Sequence, residues 1–331
     1  MHGNEITVYH SEEWKEILAK TYGYHDMSYG YGSDLGILAP GMIVNNRILR
    51  KRFLLSLPFS DEAGPVSSTC NIKQIENFFL FVDETLMNEK LDYVELKGVS
   101  KHVAEEAKKF NYDTIYRNYT FRIDLSQSLE SLQGNLHHNI KRILKKNRPI
   151  RIDSGPGKMI NEYYAMHRHT MKNLGTPPHS RAFFENISKL LGENAEFHHA
   201  LLDGKLVASI LVLTDQTNYC ARYFAGASYE NLKNLNATTY LFMNAIKSAK
   251  NKGVRYFDFG VSREGTGVWN YKQKWTKYEP IEVHYIIKGK TKDYIDPRNR
   301  KIELFSHIWR NYLPEGIANL IGPFIRGELG K

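Results

Sequence analysis

Apolar residues recur with the 3.6-residue period of a helix in several separate segments of the chain. The first of these segments, SEEWKEILAKTYG at residues 11–23, opens with a serine in the N-cap position. The same spacing predicts helices at residues 71–90, 101–111, 161–175 and 236–253, and a loop leading into a helix at residues 176–193. Residues 126–147 also predict a helix, broken near Gly134 and ending before Pro149.

Shorter stretches rich in branched and aromatic residues lie between these segments and predict β-strands. They are residues 46–60, which turn at Pro58, and residues 91–98, 119–125 and 254–260. Residues 195–227 predict three more strands, of which two are joined by the turn Asp203–Gly204 and the third starts near Asn218. The alternation of helices and strands predicts an α/β (α+β) fold.

The two halves of the chain share a weak internal repeat. A helix ends in NEKLDYVELKG in the first half and in AKNKGVRYFDFG in the second, and both strands finish in glycine. Two related domains in tandem would explain this repeat. The Pro- and Gly-containing stretch PIRIDSGPG predicts a boundary that gives domains at residues 1–148 and 149–296. Residues 297–331 predict a tail of amphipathic helices, cut at Pro314 and Pro323.

Composition limits the class of protein. With 331 residues, 42% of them hydrophobic and 24% charged, the chain is typical of a soluble protein with two domains. Its apolar runs are shorter than the roughly 20 residues of a membrane span, and the N-terminal segment lacks the apolar region of a signal peptide. The two cysteines have no metal-binding spacing. We therefore expect a reduced, cytoplasmic protein.

The net charge of +9 is distributed unevenly. The stretch KRILKKNRPIR, residues 141–151, contains six cationic residues, beginning with Lys141 and Arg142, and no acidic residue. Two interpretations remain open here. The segment is either a solvated helix face or a contact for an anionic partner, such as a phosphate-bearing substrate, RNA or an acidic lipid surface.

Known catalytic motifs are absent, because the sequence contains no GxSxG, GxxxxGK[ST], HExxH or GxGxxG pattern. The histidine pairs at residues 137–138 and 198–199 are adjacent and cannot share a helix face, so we predict no metal site. The stretch SLPFSDEAGP, residues 56–65, is stiffened by proline near both ends. It is either a loop that lines a cleft, with Phe59 and Asp61 against a ligand, or an ordinary connection.

The stretch RYFDFGVSREGTGVWNYKQKW, residues 255–275, holds the densest group of candidate residues. Asp258 ends a predicted strand, which is a frequent position for functional groups in α/β folds. Lys272 follows between Tyr271 and Trp275. A lysine in this setting is either a point cation for a phosphate or a developing oxyanion, or a surface residue whose stem lies on the rings.

FDFG followed by GTGVWNYKQKW resembles the signature of the Fem-type peptidyltransferase branch of the GNAT acyltransferases, a strand ending in D-x-G and then F-K-x-x-[FW]-G. The residues of this chain that match the signature are Asp258, Gly260, Gly267, Tyr271, Lys272 and Trp275. The stretches LGTPPHSRAFFENISKLLG and LLDGKLVASILV resemble the second domain of the same group, especially members linked to exopolysaccharide and protein-sorting clusters. SLPFSDEAGP and NIKRILKKN resemble its first domain. Together these segments cover roughly residues 5–290.

Some features differ from the family pattern. Tyr271 stands where the signature has Phe, and Thr276 stands where it has Gly. The long coiled-coil arm of the staphylococcal-type members, a feature associated with tRNA handling, is missing from the sequence. The missing arm weakens the expectation of an aminoacyl-tRNA donor, and the two substitutions leave the exact turn of the loop open.

The resemblance implies two tandem GNAT-like domains with mixed sheets and flanking helices. It implies amide-bond formation between an activated acyl donor and an amine of a cell-envelope precursor or amino sugar. Aminoacyl-tRNA and an acyl thioester of coenzyme A or a carrier protein both remain open as donors, and no tightly bound cofactor is expected. On this basis Lys272 is the candidate cation, Asp258 orients the loop or serves as a base, and Arg181 binds an acceptor phosphate.

The remaining expectations concern binding. Substrate contacts are expected from Tyr271, Trp275, Phe59, Asp61, Lys141 and Arg142, with tRNA as a candidate partner of residues 141–151. The acceptor is expected to carry phosphate or to be linked to lipid, and the tail offers a peripheral contact with the inner face of the membrane. The alternative function is a non-catalytic module of the same fold that binds RNA or a membrane surface.

Overall fold

The computed structural model describes residues 5–30, 36–67, 71–146, 148–217, 219–290 and 299–331, except for the side chains of residues 116 and 117. The chain divides into two compact units. Unit 1 comprises the described parts of Met1–Asn118, Glu282–Leu304 and Pro323–Lys331. Unit 2 comprises the described parts of Tyr119–Ile281 and Phe305–Gly322.

The α-helices are, in chain order, α1 (Glu12–Tyr22), α2 (Ile72–Asn88), α3 (Lys101–Ala107), α4 (Leu129–Gly134), α5 (His138–Leu144), α6 (Ile160–Leu174), α7 (Arg181–Leu191), α8 (Ala237–Asn251), α9 (Gly267–Lys272), α10 (Arg300–Asn311) and α11 (Glu315–Leu329). Single turns of 3-10 helix span Val8–His10, Lys108–Phe110, Gly192–Asn194, Glu230–Leu235 and Gln273–Trp275. These bounds confirm the helices predicted from apolar spacing, including the break near Gly134. The Ser11 hydroxyl accepts a hydrogen bond from the Trp14 backbone N–H and caps α1 as predicted.

The strands are β1 (His25–Asp26), β2 (Ile37–Leu38), β3 (Met42–Asn46), β4 (Lys51–Leu55), β5 (Val66–Ser67), β6 (Tyr93–Val99), β7 (Asp113–Thr120), β8 (Arg122–Asp124), β9 (Ile150–Gly155), β10 (Ala195–Leu202), β11 (Lys205–Thr214), β12 (Cys220–Ser228), β13 (Tyr256–Asp258) and β14 (Ile281–Gly289). The three strands predicted within residues 195–227 are confirmed as β10, β11 and β12. The strand predicted at residues 119–125 is instead divided between the end of β7 and β8.

Unit 1 is built on a sheet of order β1-β3-β4-β6-β14-β7. Its strands β4 and β6 are parallel, with Leu55 opposite Glu95, and α2 lies between them in the chain. Helix α2 buries Phe78, Phe79 and Val82 in the core on one side of this sheet. The apolar stripe that predicted α2 therefore packs this helix against the sheet, and α2 forms the crossover between the parallel strands β4 and β6.

Unit 2 is built on a sheet of order β8-β13-β12-β11-β10-β9. Strands β12 and β13 are parallel, and α8 lies between them in the chain as their crossover. On β11, Ile210 and Val212 pack in the same core cluster as Leu241 of α8. Phe197 of β10 instead contacts Tyr163 of α6. Because alternate strand residues point to opposite faces, helices cover both faces of this sheet.

The division into units differs from the domain boundary expected near residue 148. Phe121, which precedes β8, shares one buried core cluster with α8 and with residues of β8, α4 and α5, among them Ile123, Leu132 and Ile140. This shared burial assigns residues 119–148 to unit 2, because a core cluster groups the elements that bury it together. The stretch PIRIDSGPG, expected to be a linker, instead contains the strand β9, which pairs with β10.

The C-terminal tail forms α10 and α11, but Pro323 does not end a helix as predicted, because it lies inside α11. Within unit 1, Glu328 is 4% exposed and forms an ion pair of 2.7 Å with Arg47. The Gly327 carbonyl accepts a hydrogen bond of 2.6 Å from the Tyr24 hydroxyl. The last turn of α11 is therefore fastened to unit 1. Among the described helices, none combines the length and apolar character that crossing a bilayer would require.

Two adjacent histidines on β10 are buried in unit 2. His198 Nδ1 lies 2.9 Å from the Asn244 side-chain oxygen, and His199 Nδ1 lies 2.9 Å from the Ser209 hydroxyl. As neighbours on a strand, they point to opposite faces and belong to no common site. The described residues contain no group of three or more His, Cys, Asp or Glu side chains able to hold a metal ion. Burial lowers the pKa of both imidazoles, so folding favours their neutral forms.

We predict that the protein loses stability as the pH falls below about 6.5, the ordinary pKa of histidine in an unfolded chain. The lowered pKa of His199 in the folded state means that the unfolded chain takes up the proton first as the solution is acidified. In a His199→Asn variant, the urea midpoint should therefore change less between pH 7.5 and 5.5 than in the wild type. His102→Asn, at an exposed position, is the control. Equal pH dependence in the His199 variant and the wild type would contradict the prediction.

Candidate active site

Asp258 ends β13 at the point where two arginines converge. Its carboxylate is fully buried. One oxygen accepts hydrogen bonds from the Thr120 hydroxyl at 2.6 Å and from the Gly260 backbone N–H at 2.7 Å. The other accepts from Nε of Arg122 at 2.7 Å and lies 3.8 Å from a terminal nitrogen of Arg222. Both oxygens are thus engaged, which favours the predicted orienting role over that of a base.

Lys272 lies in a helix rather than in a loop. Residues 261–275, expected to form a Gly-rich loop, contain α9 and a 3-10 turn, and the Thr266 hydroxyl caps α9. Lys272 is 4% exposed, and its ammonium donates to the carbonyls of Gly260 at 2.8 Å and Val261 at 3.1 Å. The interpretation of Lys272 as a surface residue is therefore wrong. This buried cation joins the end of α9 to the turn that follows Asp258.

The two rings that flank Lys272 contribute to the core of unit 2. Trp275 is 1% exposed, and its ring centroid lies 5.6 Å from those of Phe242 and Phe259. The Tyr271 hydroxyl lies 3.1 Å from that of Thr239, and burial raises the pKa of Tyr271 to about 12. The sequence predicted both rings as substrate contacts. In the structure, both rings instead pack against α8 and hold α9 in place.

The strands on either side of this turn diverge. Pairing of β12 with β13 stops at Arg222 opposite Asp258, although β12 continues to Ser228. The pairing of β12 with β11 shifts in register at Phe224. Within the described residues, the edge of β12 from Tyr223 to Ala227 therefore has no strand on the β13 side, whereas the backbone N–H and C=O of Ser228 are hydrogen-bonded to the Thr170 hydroxyl at 3.2 Å. An edge of this kind presents backbone N–H and C=O groups to an extended ligand.

The other predicted site residues lie on elements other than α9 and the turn after Asp258. Arg181 is the first residue of α7 and forms an ion pair of 2.7 Å with Glu185 on the surface. Lys141 and Arg142 lie on α5, where the Lys141 ammonium donates to the Gly134 carbonyl at 2.7 Å. Phe59 and Asp61 belong to unit 1. The predicted site residues thus fall into several separate places.

Unit 1 contains a second group of buried cations around Phe59, which sequence reasoning missed. Phe59 has a positive φ of 56°, and the Arg326 guanidinium carbon lies 5.2 Å from its ring centroid. Lys97 is 6% exposed and donates to the carbonyls of Leu57 and Ser60 at 3.4 and 3.3 Å. Burial lowers the pKa of Lys97. The signal available in the sequence was a lysine within the apolar strand YVELKGV.

Thr120, Arg122 and Arg222 are further residues of the Asp258 cluster that the sequence did not reveal. Arg222 is 2% exposed and is among the largest fully buried side chains of the protein. Its position in the strand CARYFAGAS is unusual for a charged residue, since an arginine in an apolar strand needs a buried partner. That anomaly was the available signal. The identity of its partner depends on the pairing of β12 with β13.

Comparison with known proteins gives the following matches. Residues 135–273 match the family described as the acetyltransferase (GNAT) domain. This segment contains the sheet from β9 to β13, together with α8, α9 and Lys272. No curated protein matches the chain significantly.

Several solved structures share the fold. FemX has a TM-score of 0.65 at 13% identity and covers 86% of this chain and 92% of its own. The C-terminal domain of a protein described as a lysylphosphatidylglycerol synthetase from Agrobacterium fabrum has a TM-score of 0.56 at 11% identity, with 83% and 87% covered. L-PGS from Bacillus licheniformis has a TM-score of 0.50 at 14% identity, with 96% and 98% covered. At these identities the likeness shows the fold alone, and it confirms the GNAT-like fold predicted from the sequence.

We predict that Asp258→Asn destabilises the protein by about 3–5 kcal/mol, since it leaves Arg122 and Arg222 without their buried carboxylate. Asp153→Asn is a matched control, because Asp153 forms a partly exposed ion pair of 2.7 Å with Lys158. The control should cost less than about 1 kcal/mol. Chemical denaturation of the two variants measures both values. Similar costs for the two variants would show that the Asp258 cluster is not a structural centre.

Proposed function

We propose that the protein is an N-acyltransferase or aminoacyltransferase that forms an amide bond. The donor is an activated acyl group, carried as aminoacyl-tRNA or as a thioester of coenzyme A or a carrier protein. The acceptor is an amine of a cell-envelope precursor or an amino sugar. The observation that carries this proposal is that β12 and β13 stop pairing at Asp258, within a segment that matches the GNAT family. The turn that follows, at Gly260 and Val261, is held by Asp258 and Lys272 and is called here the Asp258–Lys272 turn.

The geometry supports this chemistry in two ways. The edge of β12 beyond Arg222 has no strand on the β13 side, and such an edge offers backbone hydrogen bonds to an extended, amide-bearing donor or acceptor. The turn beside it is held rigid by Asp258 and Lys272, and a cation in such a buried setting acts more strongly than in water.

The reaction requires little covalent chemistry from the protein. The amine attacks the acyl carbon, the new C–N bond forms, and the C–O or C–S bond to the carrier breaks. The amine loses one proton and the leaving oxygen or sulfur gains one. Charge develops on the carbonyl oxygen between these steps, and Lys272 is the group that we assign to this charge.

The solved structures of the same fold support a cell-envelope acceptor. One is called FemX, and another is described as a lysylphosphatidylglycerol synthetase, a name that couples an aminoacyl group to a lipid. We extend this to an acceptor that carries phosphate or a lipid. The place of this chain among members linked to exopolysaccharide clusters is part of the same proposal.

A donor screen tests the proposal. The purified chain is mixed with charged tRNAs, acyl-coenzyme A or acyl carrier protein, together with amino sugars and envelope precursors, and new amides are detected by mass. We expect one donor class to be consumed with formation of an amide. If no amide forms from any of these donors, the proposed activity is wrong.

With the active pair identified, Lys272→Met should lower kcat by about 10²- to 10³-fold, the range for losing one group that stabilises developing charge. It should also destabilise the fold by about 1–3 kcal/mol, because the carbonyls of Gly260 and Val261 lose their buried donor. Lys277→Met, at an exposed position, is the control for both measurements. Loss of stability with unchanged kcat in the folded enzyme would assign Lys272 a structural role only.

The C-terminal helices support a peripheral membrane contact as a further proposal. On α11, Ile317, Leu320 and Phe324 are 48%, 80% and 50% exposed, and on α10, Leu304 is 59% exposed. These apolar residues of the predicted amphipathic tail are thus exposed to solvent, whereas Trp309 of α10 is buried. An apolar stripe on a cationic protein is typical of binding to an anionic membrane surface.

We predict that the protein floats with vesicles containing phosphatidylglycerol and that Ile317→Glu with Leu320→Glu abolishes flotation. The added charges oppose entry of this stripe into the apolar part of the interface. Met87→Glu, at a position on α2 that is 68% exposed, should leave flotation unchanged. Wild-type protein that stays entirely in solution would rule out the membrane contact.

A further inference from the structure

Unit 2 contains a cleft of about 510 Å³ that the Asp258–Lys272 turn does not use. Its walls are α4, α5, the β9 strand and the α8 helix. The lining residues are Gln133, Gly134, Leu136, Lys141, Leu144, Lys145, Ile152, Tyr240, Met243, Asn244 and Lys247. A volume of this size is within the usual range for small-ligand sites.

The walls of the cleft are fastened to one another. The Tyr240 hydroxyl of α8 lies 2.7 Å from the Ile143 carbonyl and 2.8 Å from the Lys146 carbonyl, which joins α8 to the end of α5. At the other end of α5, the His137 backbone N–H donates to the Lys274 carbonyl at 2.9 Å. The cleft is therefore preformed, which reduces the entropy that a ligand would lose on binding.

The charge of the cleft has one sign. Lys141, Lys145 and Lys247 line it, and none of its lining residues is acidic. Lys145 and Lys247 are exposed, and neither ammonium group has a hydrogen bond or ion pair with a residue in the described part of the chain. Lys141 and Lys145 are four residues apart on one helical face, a spacing at which like charges repel.

Placement at a helix end does not explain all three lysines. Lys141 and Lys145 lie at the C-terminal end of α5, where the helix dipole favours cations. Lys247 lies before the last turn of α8, which ends at Asn251, and gains little from that dipole. Its presence opposite the α5 pair instead concentrates three cations around one opening, an arrangement that an anion would stabilise.

The interior of the cleft is apolar, with a few polar groups. Leu136, Leu144, Ile152 and Met243 supply the apolar lining. The side-chain oxygen of Asn244 lies 2.9 Å from His198 Nδ1, so its amide nitrogen is the group that remains for a ligand. A cationic rim over an apolar lining matches a ligand that has an anionic end and an apolar body.

We propose that this cleft binds a molecule of nucleotide size that joins a phosphate or pyrophosphate group to an apolar or aromatic body. The lysines at the rim hold the phosphate oxygens, and the body lies on the apolar lining. Phosphate, rather than a single carboxylate, suits a cleft lined by three lysines because it offers more acceptor oxygens and more charge. Binding here does not require acyl transfer, and it does not involve Lys272.

Calorimetric titration of the full chain at low salt tests this site with ADP, inorganic pyrophosphate and adenosine as probes. We expect saturable binding of ADP, with weaker binding of pyrophosphate and adenosine because each lacks half of the recognised chemistry. Lys145→Gln with Lys247→Gln should weaken ADP binding by about 10- to 100-fold, the effect of losing hydrogen bonds to a charged group. Both lysines are exposed, so the double variant should fold normally.

Two more variants separate charge and shape from general effects. Lys189→Gln with Lys205→Gln removes the same charge from exposed positions of unit 2 outside the cleft and should leave ADP binding unchanged. Gly134 lines the cleft, and a Cβ atom there meets no other atom within 4 Å. Gly134→Phe should therefore fill part of the cleft without harming the fold and should weaken ADP binding without any change in charge.

The site is overturned if wild-type protein does not bind ADP saturably, or if both double variants lose affinity equally. It is also overturned if an RNA oligonucleotide binds while ADP does not, because residues 141–151 would then form an RNA surface rather than a small-ligand site. Failure of the donor screen leaves these results unaffected, so the two proposals are distinguished.

Discussion

The buried carboxylate of Asp258 is the interaction on which the candidate site in unit 2 depends. It lies where β12 and β13 stop pairing, and it joins β8, β13 and the following turn through Arg122 and Gly260. A buried carboxylate is stable only when its charge is compensated, and the two arginines meet that need. These charges meet at the last residue pair of β12 and β13, Arg222 opposite Asp258, and β12 continues beyond this pair without a strand on the β13 side.

Lys272 joins α9 to the turn that Asp258 holds in place. Its ammonium donates to the two carbonyls of the turn after Asp258, and Trp275 anchors the next 3-10 turn in the core. One short segment thus contributes both to the stability of unit 2 and to the shape of the candidate site. Changes within it should affect folding and activity together, which is why stability and kcat must be measured on the same variants.

Much of the fold could be predicted because long periodic segments report burial directly. The apolar stripes of α2 and α8 predicted both helices closely, and the turn Asp203–Gly204 identified β10 and β11. Strand β9 was missed because its Pro- and Gly-containing sequence is also typical of a linker. Its strand character comes from pairing with β10, which local sequence does not encode.

The candidate site could be predicted only in part, for a similar reason. A strand end and a following lysine are local features that made Asp258 and Lys272 candidates, and the structure brings both to Gly260. The aromatic residue Trp275 was assigned to a ligand because a ring beside a lysine has the same local pattern whether it faces a pocket or the core. The approach of Lys97 and Arg326 to one loop depends on residues far apart in the chain, and no local pattern reports it.

The internal repeat shows that the two units share a backbone feature but differ in the side chains beside it. Gly98 lies near the end of β6 and Gly260 follows β13, with φ values of 72° and 71°. Both glycines thus adopt a left-handed conformation that other residues rarely accept, which explains why the two halves share this residue. Two positions earlier, unit 2 has Asp258, whereas unit 1 has Leu96, which is 2% exposed within an apolar cluster. The repeated glycine therefore preserves the local backbone conformation, and only unit 2 adds a buried carboxylate two positions before it.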